Sequence, residues 1–272
     1  HGDEASAPYV SAANEAAAIH SWLVEHDATH LTLTFGASLG GVVLFELLRF
    51  TDLSFDRLFI EGVSFYSGGP VARAGGAILS RVMVAKHRKA VRDPDAGARK
   101  LARLYGEQAA RAMATSFAAM SEESIRAIVR DCSRVTLPHL SPDVQRRYTF
   151  AYGEKDSDLR LARRTVPRLY PGAELVVWPG WGHCERMSRD STAYGQMLRR
   201  LVEESRKLPL PRGRARHPAP RSHYSFTVEQ SDRSTKSSDT RVPETLEATA
   251  GHLPGAPPGQ DLPLWPQSLP DS

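Results

Sequence analysis

The stretch from Leu31 to Phe50, LTLTFGASLGGVVLFELLRF, constrains the fold more than any other part of the chain. An apolar, Thr-punctuated run of strand type leads into Gly36-Ala37-Ser38-Leu39-Gly40-Gly41, and a helical run follows with Val42, Val43, Leu44, Phe45, Leu47 and Leu48. That order is strand, sharp turn, helix. A serine at such a turn sits in a strained backbone conformation, and the glycines on either side, Gly36 and Gly40, are expected because a side chain there would collide with backbone. The geometry lifts the Ser38 hydroxyl above the sheet edge. It also points the first amides of the helix, chiefly that of Leu39, at the place where an oxyanion would develop.

The pentapeptide alone is weak. Gly-x-Ser-x-Gly arises by chance in roughly one chain in ten of this length, and a Gly-rich strand-to-helix turn could equally cradle a phosphate. The phosphate reading lacks a lysine in the turn. The setting between strand and helix, and the residues further along the chain, favour a nucleophile.

Composition limits the alternatives. The 272 residues, 41% of them hydrophobic, suffice for a full α/β core, but eleven of the 19 prolines fall after Ser205. The globular part is therefore nearer 205 residues, followed by a Pro-, Arg-, Ser- and Thr-rich tail without hydrophobic periodicity that is expected to be disordered. A net charge of +4 comes from scattered arginines without interleaved aromatics, so nucleic acid is not the expected partner. Cys132 and Cys184 are too few for a disulfide framework and lack metal-ligand spacing, which points to a reducing cytoplasm. No apolar run is long enough to span a bilayer, and the N-terminus lacks a signal pattern.

Taken in order, the Ala-rich segment from Ser11 to Glu25 reads as a helix capped by Ser11. After the Ser38 turn, the helix ends near Arg49, residues 51–56 form a loop, and Arg57 to Gly62 is a strand covered on both faces. From Val63 to Arg147 only helical stretches appear: Val71 to Val91, Asp95 to Met120, and Ser121 to Arg130. An insertion of this kind between two strands has the character of a lid. Alternation then resumes with a strand over Tyr148–Tyr152, a helix over Leu159–Tyr170 interrupted by Pro167, a strand over Glu174–Trp178, and a helix over Arg186–Glu204. Strands returning through helices give a parallel sheet, here of four strands, with its sites at the carboxyl ends.

Both late strands end in a loop with a residue that a serine nucleophile needs. Gly153-Glu154-Lys155-Asp156 follows the first, and Pro179-Gly180-Trp181-Gly182-His183 the second. A hydroxyl becomes a useful nucleophile when an imidazole takes its proton, and a carboxylate fixes the tautomer of that imidazole. Asp156 and Asp158 both compete for the carboxylate role, and either could cap the following helix. Cys184 reads as buried filler.

With these motifs in hand, the chain resembles the α/β-hydrolase superfamily of serine hydrolases, from the elbow GASLGG through YGEKD to GWGHCE. The resemblance covers about residues 1–205. It implies Ser38 as nucleophile, Asp156 as acid, His183 as general base and Leu39 as an oxyanion amide, with no cofactor and no metal. It implies an α/β fold with a parallel sheet flanked by helices: a first core part at 1–62, a helical cap at 63–147, a second core part at 148–205, and the tail at 206–272. The implied activity is hydrolysis of a small ester or related acyl substrate.

The resemblance has one departure. Family members build several strands and a second oxyanion loop ahead of the elbow, whereas about thirty residues precede it here. The chain is thus expected to be N-terminally truncated, with His1-Gly2-Asp3 the end of a Gly-His-Gly loop. The alternative function is a non-catalytic remnant lacking those strands.

Overall fold

A computed structural model describes residues 7–207 of the chain. The expectations for His1-Gly2-Asp3 and for the tail beyond residue 207 lie outside the described residues.

The first helix, α1 (Ala12–Glu25), starts where expected, because the Ser11 hydroxyl accepts from the Asn14 amide. The run from Leu31 does not form one strand. It divides into β1 (His30–Leu31) and β2 (Thr34–Ala37), and β1 pairs in parallel with β3 (Ser54–Phe55) in a separate two-stranded sheet. Residues 51–56, expected as loop, thus contain a strand, and the described residues hold six strands rather than four. Two-residue strands carry no periodicity from which they could be read.

The main sheet consists of β2, β4 (Leu58–Glu61), β5 (Tyr148–Gly153) and β6 (Glu174–Trp178), in that spatial order and all parallel. Pairing sets Ala37 opposite Glu61, and Glu61 opposite Ala151, so the carboxyl ends of three strands lie side by side. Side-chain alternation divides the sheet between two cores. Leu58, Ile60, Tyr148, Phe150 and Tyr152 join Val42 and Phe45 of α2 (Leu39–Leu47) on one side. Phe59, Ala151 and Trp178 join Tyr194 on the other. Both faces of β4 and β5 are buried, which accounts for the short run with little alternation in β4.

Residues 63–147 hold α3 (Pro70–Arg92), α4 (Pro94–Tyr105), α5 (Glu107–Ala119), α6 (Glu122–Cys132) and α7 (Pro142–Gln145), with one isolated antiparallel bridge, Ser67 to Arg134. The stretch expected as one helix from Asp95 to Met120 is broken at Gly106, whose φ of 80° no continuous helix accommodates. Ser121 caps α6 through the Ser124 amide. The last helix also divides, into α9 (Glu185–Arg189) and α10 (Ser191–Lys207), separated by Asp190 in a non-helical conformation. Between β5 and β6, α8 (Leu159–Leu169) keeps Pro167 inside it. No described helix is long and apolar enough to cross a membrane.

Candidate active site

Ser38 stands at the junction of β2 and α2 with φ 52° and ψ −115°, a conformation costly for a residue with a side chain. Its amide donates to the Glu61 carbonyl at 2.8 Å, which ties the turn to the end of the neighbouring strand. Crowding around the turn falls differently from the sequence expectation. A Cβ on Gly36 would come within 2.7 Å of the Gly40 carbonyl oxygen, so no side chain fits there. A Cβ on Gly40 would meet nothing within 4 Å. The second crowded position is Gly41, where a Cβ would press within 2.9 Å of Ile60 and Val63 as α2 packs on the sheet.

The acid and histidine loops extend the pairing of β5 and β6 beyond the strands. The Glu154 amide donates to the Trp178 carbonyl and the Lys155 amide to the Trp181 carbonyl, each at 2.9 Å. The Glu154 carboxylate accepts from the Gly180 amide in return. Gly153 makes this close approach possible, since a Cβ there would lie 2.3 Å from the Trp181 carbonyl oxygen. Glu185 accepts from the Gly182 amide, and Tyr105, the last residue of α4, donates its hydroxyl to the His183 carbonyl at 3.1 Å.

These constraints bring Ser38, His183 and Asp156 into one line. His183 Nδ1 lies 2.9 Å from Asp156 Oδ2, and His183 Nε2 lies 2.9 Å from Ser38 Oγ. With the Nδ1 proton directed at the carboxylate, Nε2 is left to accept from the serine hydroxyl. The Asp156 side chain is fully buried, whereas that of His183 keeps 27% of its surface exposed. Burial pulls the His183 pKa down, whereas the hydrogen-bonded Asp156 carboxylate stabilises the protonated imidazole and raises it. Leu39 is the first residue of α2, so its amide belongs to the helix turn whose N–H groups have no intrahelical acceptor.

Asp158 does not take the place of Asp156. Its amide donates to Asp156 Oδ1 at 2.9 Å, its side chain makes no capping bond to α8, and its carboxyl is almost fully buried. Burial, aided by the charge of Asp156, raises its pKa to about 6. Donor atoms of Asp156, Asp158 and His183 lie within 4.8 Å of one another, a spacing a metal ion could use, although His183 and Asp156 are already engaged with each other. Cys184 is buried with φ 50°, and burial raises its thiol pKa, so the thiolate that a nucleophile requires is disfavoured.

One residue of this region was not anticipated. Glu61 is fully buried at the end of β4, receives a hydrogen bond from the Tyr194 hydroxyl through Oε2, and leaves Oε1 without a partner. Desolvation raises its pKa. The signal was an acidic residue closing an otherwise apolar strand, RLFIEG. The adjoining Gly62, at φ 61°, lets the backbone pass under the imidazole, since a Cβ there would lie 2.9 Å from His183 Cε1.

No family model matches the chain, and no curated relative matches it in sequence. Solved structures do match. A thermophilic esterase from Thermogutta terrifontis, in its malate-bound form, superposes with a TM-score of 0.53 at 18% identity over 72% of this chain and 75% of the other. A protein assigned as an aryl esterase from Burkholderia cenocepacia gives 0.54 at 15% identity over 75% of each chain. A protein assigned to the alpha/beta hydrolase family from Desulfitobacterium hafniense gives 0.50 at 12% identity over 72% of this chain and 78% of the other. The strand order, the helices on both faces and these likenesses identify the α/β-hydrolase fold as the fold of this chain.

Proposed function

We propose that the chain is a serine hydrolase acting on a small ester or related acyl substrate. The observation that carries this reading is the unbroken hydrogen-bond line from Ser38 through His183 to Asp156, drawn from the ends of β2, β6 and β5. Ser38 Oγ attacks the substrate carbonyl while its proton passes to His183 Nε2. Asp156 holds the imidazole in the required tautomer and stabilises its protonated form. The Leu39 amide donates to the oxyanion. Protonated His183 delivers the proton to the leaving group, and the acyl group stays on Ser38. Water, deprotonated by His183, then releases the acid and restores the serine. The esterases among the structural neighbours agree with an ester as the substrate, and the helices of residues 63–147 serve as the cap that selects it. Two unpaired, buried cysteines support a reducing, cytoplasmic setting.

The test is labelling with a fluorophosphonate probe, with peptide mapping, of the chain and of its Ser38→Ala and His183→Ala variants. Modification confined to Ser38 and lost in both variants is expected. A folded chain that takes up no label would assign this geometry a non-catalytic role.

A further inference from the structure

Away from the triad, the described surface has a second feature with chemical content, a trench between α3 and α6. Over its 23 residues α3 carries Arg73, Arg81, Lys86, Arg88, Lys89 and Arg92 and no acidic residue. Solvated surface helices ordinarily mix charges of both signs, which relieves like-charge repulsion along a face. Here the arginines converge on a concavity. A cleft of about 330 Å³ is lined by Arg81, Arg88, Arg92 and Arg126, with Val84 and Ala85 as its floor. A second, of about 180 Å³, is lined by Arg73, Arg126, Arg130 and Arg134 beside Ser80 and Ser133. Arg126 lines both, so the two clefts are neighbours along the seam of α3 and α6. Neither cleft is lined by Ser38, Asp156 or His183.

The local carboxylates do not neutralise this charge. Glu122 holds Arg88 at 2.6 and 3.0 Å and reaches Arg126 at 3.5 Å, and Asp131 takes Arg130 at 2.8 Å. Arg73, Arg81, Arg92 and Arg134 have no carboxylate partner among the described residues. Guanidinium groups left unpaired around a concave wall focus a positive potential into it, and their forked donors match the oxygens of a phosphoryl group two at a time.

We propose that the α3–α6 trench is a binding site for a soluble ligand carrying more than one phosphate group. The two clefts each take a phosphoryl group, and Arg126 bridges them. Arginines that line clefts, rather than a flat face, favour a small ligand that enters them over an anionic bilayer. The site is independent of the hydrolase reading, because no triad residue contributes to it.

Calorimetric titration of the full chain with pyrophosphate at low ionic strength tests the proposal. Binding is expected, weakening at least about tenfold in an Arg81→Gln/Arg92→Gln variant and again in Arg134→Gln, and falling as salt rises. These arginines are exposed and bear no ion pair, so the variants should keep the thermal transition of the parent chain. Unchanged affinity in the double variant, or no pyrophosphate binding by the parent chain, overturns the site. Co-sedimentation with phosphatidylglycerol vesicles in a chain that ignores pyrophosphate also overturns it, in favour of a bilayer surface.

Discussion

The sheet edge that carries Ser38 and the helices of residues 70–132 are built to different tolerances. At the sheet edge, backbone meets backbone or the ring of His183. Gly36, Gly62 and Gly153 stand where a single added carbon would intrude on a neighbouring segment. Among the helices, more apolar surface is left exposed, at Ile78, Val82, Val91, Leu104 and Met113, and α4 and α5 share a small buried cluster of Leu101, Ala110 and Ala114. A site needs its groups held to a fraction of an ångström, whereas packing between surface helices tolerates more adjustment. The difference teaches that sequence change in this protein can be absorbed by the helices long before it is absorbed at the edge.

Several substitutions would break or sharpen that contrast. Phe150→Ala, in the sheet core, is expected to cost about 3–5 kcal/mol, and Leu101→Ala in the α4–α5 cluster nearer 2 kcal/mol, because the smaller cluster can collapse around the void. Urea unfolding of the two variants checks this, and equal losses would erase the contrast. Within the edge, Gly36→Ala should destabilise by about 1–3 kcal/mol by forcing Gly40 away. Gly40→Ala should be neutral or stabilise by up to about 1 kcal/mol, since alanine favours the helix more than glycine does. Thermal melts would show the asymmetry, and a large loss from Gly40→Ala would contradict the open space seen there.

The buried acid beside Asp156 gives a pH-dependent version of the same test. Asp158 has a pKa of about 6 in the fold against an ordinary value of 3.8, so the fold prefers its protonated form. Its favourable contribution is complete below about pH 4 and is lost as pH rises through about 6. Asp158→Asn cannot ionise, so it should be more stable than the parent above that range, by on the order of 1–3 kcal/mol, with the advantage gone near pH 4. Denaturation midpoints at about pH 8 and pH 4 would decide it. Smallest of all, Ile78→Ser on the exposed face of α3 should change stability by no more than about 0.5 kcal/mol in a thermal melt.

Much of the site could be read before the structure because its motifs are local. The elbow, YGEKD and GWGHCE each place a residue type at a strand end flanked by glycine, and the distances among Ser38, Asp156 and His183 follow from where the parallel strands stop. The residues alone left Asp156 and Asp158 in competition and the family resemblance pointed to Asp156; the turn in which the Asp158 amide bonds back to Asp156 supplies the physical reason for its place beside His183. The pairing of β1 with β3 could not be read, since two residues show no pattern and the partner lies more than twenty positions away. Glu61 was missed because its burial depends on α10 delivering Tyr194 from the far end of the chain.

By itself the sequence determined the parallel α/β order, a serine at the strand-to-helix turn and the helical stretch between the strands, because periodicity, glycine placement and chain order are local properties that neighbours in sequence express directly. Only the tertiary structure decided which glycine is crowded, how Glu61 comes to be buried against Tyr194, and where the arginines of α3 and α6 converge. Those outcomes depend on distances between segments far apart in the chain, which packing sets and no local pattern records.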